Sequence, residues 1–67
     1  MEIKSLTDEQ LLSETHRLAR AVSYYEAAER NWSSETVARN RTKAEFREAR
    51  KEMELREIEF ENKGYLL

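Results

Sequence analysis

Proline is absent from this 67-residue chain and glycine occurs once, at Gly64. Those two residues set tight hairpins, bulges and phosphate-cradling loops, so their scarcity argues against an all-β sandwich or a Gly-rich nucleotide site and leaves helix as the expectation. Charged residues make up 39% of the sequence, and mean hydropathy is −0.95, which describes a surface-rich chain with room for one small domain at most. Cysteine is absent, which removes a disulfide scaffold, a thiolate zinc site and a thiol nucleophile. The longest uncharged stretch, Ala21 to Tyr25, is far shorter than the roughly 20 apolar residues a spanning helix needs, and no signal-peptide pattern follows Met1. A cytoplasmic protein without a membrane partner is the corresponding expectation.

The first helix announces its start in Leu6-Thr7-Asp8-Glu9-Gln10-Leu11. Thr7 suits the N-cap, Gln10 at N3 completes a capping box, and Leu6 and Leu11 occupy the two ends of a hydrophobic staple. Asp8 and Glu9 complement the positive end of the helix dipole. Leu11, Thr15, Leu18, Val22, Tyr25, Glu29 and Trp32 then recur at four-three spacing, flanked by Leu12 and Ala19 on one side and Ala21 and Ala28 on the other. This periodicity predicts an amphipathic helix over about 8–31.

Asn31-Trp32-Ser33-Ser34 is the loop-like break, with the turn expected at about 32–34 and either serine able to cap a second helix. So short a connection joins antiparallel neighbours. The second helix is predicted over about 35–63, with Thr42, Phe46, Ala49, Met53 and Phe60 as its seam and Arg56 interrupting it. Gly64 is the expected C′ residue, with Tyr65 meeting Phe60 in a Schellman arrangement and Lys63 beside the negative dipole end. Glu26 to Arg30, Glu35 to Arg39, Glu52 to Arg56 and Glu59 to Lys63 are four i,i+4 pairs in the favoured order. The fold class is therefore all-α: one antiparallel, coiled-coil-like helical hairpin.

The net charge of −2 is unevenly spread. Met1–His16 and Glu52–Lys63 are each −3, whereas Arg39–Lys51 is +4. Folding the chain back near the break gathers the acidic segments at its open end. Two helices share a single seam, and this one includes Ala, Thr, Glu29 and Arg56, too little apolar surface for a hairpin to stand alone. Leu12, Tyr24, Trp32, Leu55 and Ile58 are the residues left to cover a second surface. The expectation is a homodimer forming a four-helix bundle. The monomeric alternative folds Met1 to Leu6 against Leu55 and Ile58.

Few residues suggest chemistry. His16 is the single histidine, and Ser13 stands where a di-iron Glu-x-x-His motif needs its glutamate. The glutamates lie among Arg and Lys at helical spacing rather than in the water-shielded pocket that general acid–base work requires. P-loop, dinucleotide and seryl-nucleophile fingerprints are missing. Neither an enzyme nor a cofactor or metal site is expected. Arg39, Lys43, Arg47 and Arg50 line one face of the second helix and can be read as a phosphate-binding stripe; the plainer reading is a solvated, salt-bridged face. Tyr25 and Phe46 are expected to pack together in the core, and Tyr24 and Trp32 to serve as interface anchors.

The capping-box opening and hairpin resemble the small two-helix proteins of the large ribosomal subunit, which are strongly basic where this chain is acidic. The chain also looks like the short, charged accessory proteins that bacteria and phages encode. The functional expectation is a non-enzymatic helical module that self-associates and docks on a larger protein as regulator, inhibitor or scaffold. A nucleic-acid-binding accessory protein using the basic stripe is the alternative.

Overall fold

The computed structural model describes residues 2–28 and 36–67, the side chains of residues 28 and 36 excepted. Two packed helices form a hairpin: α1 over Asp8–Ala28 and α2 over Thr36–Leu55, preceded by a 3-10 turn at Ile3–Ser5. The turn at 32–34, the expected end of the first helix at 31, the start of the second at 35, and Glu29, Arg30, Trp32 and Glu35 lie outside the described residues.

α1 begins where its capping signals require. The Thr7 backbone N–H donates to Gln10 Oε1 at 2.9 Å and the Gln10 N–H donates to Thr7 Oγ1 at 3.1 Å, so the capping box is closed in both directions. Leu6 packs against the cluster that contains Leu11, completing the staple. Leu11, Thr15, Leu18, Ala19 and Val22 are buried, and Leu11 and Leu18 form one core cluster with Ala49 and Met53 of α2. Thr15 is tolerated in this seam because its hydroxyl donates to the Leu11 carbonyl at 2.7 Å, leaving no bare polar group.

α2 is shorter than its sequence predicts. It ends at Leu55 instead of near residue 63, and a Schellman cap forms seven residues ahead of the expected one. The Ile58 N–H donates to the Met53 carbonyl at 2.8 Å and the Glu57 N–H donates to the Glu54 carbonyl at 3.0 Å. That pattern places Glu57, not Gly64, at C′, and Glu57 takes the left-handed conformation with φ 58°. Ile58, at C″, packs against the cluster that includes Met53, the apolar contact that accompanies such a cap. The Glu59 to Lys63 helical pair is accordingly lost.

What pulls the chain out of helix is the contact its tail finds. Asn62 Oδ1 accepts the backbone N–H groups of Gly64 at 2.9 Å and Tyr65 at 2.7 Å, building an Asx turn in which Gly64 has φ 102°. Residues 58–67 then lie back over the two helices as a strap, with Phe60 against Phe46 and Leu66 joined to Ser23 of α1. Gly64 thus serves a turn within the strap rather than a helix end. The molecule measures 37 × 24 × 15 Å, thin along one axis because it is a helix pair with a strap laid on it.

Candidate interaction surface

The expected surface residues separate into two groups. Leu12 and Ile58 pack, half-buried, against the chain's own core. Tyr24 and Leu55 remain open, at 64% and 72% exposure, and Val37 joins them at 73%. Tyr24 lies on the outer edge of α1 with its ring edge-on to Tyr25 at 5.3 Å. Val37 and Leu55 are eighteen residues apart on α2, five full turns, so they project from the same side of the helix roughly 27 Å apart. Trp32 lies outside the described residues. Phe46 takes Phe60 as its ring partner, at 5.7 Å and 70°, and the ring that meets Tyr25 is Tyr24.

The amino-terminal segment is tied down by Arg56, which the sequence reading places as an interruption of the seam and as the helical partner of Glu52. Its Nε donates to Glu52 Oε2 at 2.9 Å, and its two terminal nitrogens reach the carbonyls of Leu6 at 2.7 Å and Lys4 at 3.1 Å and Asp8 Oδ1 at 3.1 Å. One planar guanidinium therefore joins the end of α2, the 3-10 turn and the first turn of α1. These acceptors, Glu52 foremost and then Asp8, hold the Arg56 proton more tightly than usual. Ile3 and Leu6 pack beside it on the shared core, alongside Ile58. That is the covering of the open end that the monomeric alternative requires for Ile58, whereas Leu55 stays exposed.

The basic stripe is mostly engaged within the chain. Arg39 and Lys43 both pair with Glu26 of α1, Arg39 at 3.2 Å. Chiefly through the Lys43 hydrogen bond, opposed by burial and aided by Arg39, the Glu26 carboxyl is held below its ordinary range. The Arg50 guanidinium stands 4.5 Å over the Phe60 ring. Arg47 is exposed and lines a shallow depression together with Val22, Lys43, Phe46 and Leu67. The four cations therefore present no common free face.

The strap is the feature that sequence reasoning missed. Phe60 stacks on His16 with centroids 4.8 Å apart and planes at 29°, and Tyr65 sits beside both rings, 5.9 Å from His16 and 6.4 Å from Phe60, its hydroxyl 3.0 Å from His16 Nδ1. The Leu66 N–H donates to Ser23 Oγ at 3.0 Å. His16 and Ser23 lie on the same flank of α1, and Phe46 and Arg50 on the facing flank of α2, so the strap runs along the groove between the helices. The Asn62-Lys63-Gly64 turn signal was the available clue, but a glycine behind a lysine reads equally well as a helix end.

Among the described residues no group of three or more His, Asp or Glu side chains is placed to hold a metal ion. No described helix is long and apolar enough to cross a membrane. No family model, curated protein or solved structure matches the chain.

Proposed function

We propose that this chain is a non-enzymatic helical interaction module that self-associates, most simply as a homodimer forming a four-helix bundle, and docks on a larger protein as regulator, inhibitor or scaffold. The observation that carries this reading is the exposure of Tyr24, Val37 and Leu55 on a molecule whose fully buried apolar set, among the described residues, is Leu11, Leu18, Ala19, Val22, Ala49 and Met53. Large side chains that would strengthen so small a core are instead held at the rim. Covering a leucine- or valine-sized side chain contributes about 1.5–3 kcal/mol. Micromolar association requires about 8 kcal/mol, so several of these side chains must be covered together.

The engagement of Arg39, Lys43 and Arg50 within the chain favours protein over nucleic acid as partner. The test is a set of surface substitutions read by sedimentation equilibrium and circular dichroism. Tyr24→Ala and Leu55→Ala are expected to weaken self-association, by tenfold or more together, while helicity is retained. Unchanged association in the double variant would contradict the reading. Tight, steeply salt-dependent binding of nucleic acid, abolished by Arg47→Glu, would replace it with the alternative.

A further inference from the structure

The strap and its groove behave as a ligand and its site carried on one chain. The groove offers an aromatic slot formed by His16, Phe46 and Arg50, filled by Phe60, and a hydroxyl acceptor at Ser23, filled by the Leu66 N–H. Residues on the helix side of the junction are fixed: Arg56 is anchored to Glu52, Asp8, Leu6 and Lys4. The next residue, Glu57, carries the positive φ of 58° that a side chain adopts at a cost and that glycine adopts freely. A fixed anchor followed directly by a strained, non-glycine pivot is the arrangement of a hinge.

We propose that the strap, residues 58–67, is exchanged between two copies of this chain, each copy's Phe60 and Leu66 filling the groove of the other, with Glu57 as the hinge. This rests on the self-association proposed above and adds a second contact to the surface of Tyr24, Val37 and Leu55 that the two copies cover. The contacts of the strap beyond the hinge, those of Phe60, Tyr65 and Leu66, are remade in the exchanged dimer and nearly cancel, so the balance is set by protein concentration and by the hinge, where opening also gives up the Ile58 N–H bond to the Met53 carbonyl. Opening relieves the left-handed Glu57, which favours exchange, whereas tethering favours the closed single copy at high dilution.

The chain has no cysteine of its own, so a disulfide can report the strap's address. A Ser23→Cys, Leu66→Cys double variant oxidised at high dilution should close within one chain, and failure to close would overturn the strap's placement. Single variants Ser23→Cys and Leu66→Cys are then mixed at high concentration and oxidised, with light scattering of the unsubstituted chain alongside. The expected product is a 23–66 disulfide heterodimer well in excess of the 23–23 and 66–66 species. A dimer by light scattering without excess 23–66 product overturns strap exchange and leaves self-association standing; a single-copy mass at every concentration overturns both. Glu57→Gly, which relieves the closed hinge, should weaken dimerisation by about tenfold, two hinges contributing per dimer. An unchanged dimerisation constant overturns the hinge assignment.

Discussion

Glu57 is the residue whose backbone and side chain disagree. A left-handed C′ position favours glycine, and the chain's one glycine is spent in the Asn62 turn instead. Glu57→Gly should therefore stabilise the closed single chain, by about 0.5–1 kcal/mol in a urea titration at high dilution. Glu26 supplies a pH dependence. Its folded-state carboxyl is lowered, so its contribution is present above the unfolded glutamate pKa of about 4.3 and is lost as pH falls through the lower folded value. Urea midpoints measured from neutral into acid pH should fall less steeply in Glu26→Gln than in the parent. Arg56→Ala should destabilise more than Arg17→Ala, because Arg56 bridges three segments while Arg17 pairs with Glu14 within one helix.

At the scale of the element, the start of α1 was legible and the end of α2 was not. The α1 signals are local and agree: cap, box, staple and four-three spacing specify the same start, and Thr7 and Gln10 bond reciprocally. Replacing Thr7 with Ala should cost about 1 kcal/mol, measured by thermal melting, because it removes one of those capping bonds. The last turn of α2 has no comparable local signature. Glu59, Lys63 and Gly64 all suit a helix that continues, and the break at Arg56 follows from Phe60 reaching His16, Phe46 and Arg50, contacts with residues that are distant in sequence. Long-range packing overrides local propensity in just such short segments. The same distance in sequence hid Arg56, whose acceptors at Lys4 and Leu6 lie about fifty positions away.

The whole molecule is a thin body whose two ends fold onto its helices: the 3-10 turn against the end of α2, and the strap along the groove. Leu12 and Ile58 pack half-buried against the shared core, whereas Tyr24, Val37 and Leu55 stay outside. With so few fully buried side chains, each matters. Leu11→Ala or Met53→Ala removes a side chain at 0% exposure and should cost about 2–5 kcal/mol. A domain of this size has only a few kcal/mol in hand, so circular dichroism of either variant should show loss of the cooperative thermal transition at low concentration. The most direct measurement of the account is light scattering combined with thermal melting over a dilution series of the unsubstituted chain. It predicts a mass that rises from 8.0 kDa toward twice that value and a melting temperature that rises with concentration; a constant single-copy mass and a concentration-independent melt would contradict it.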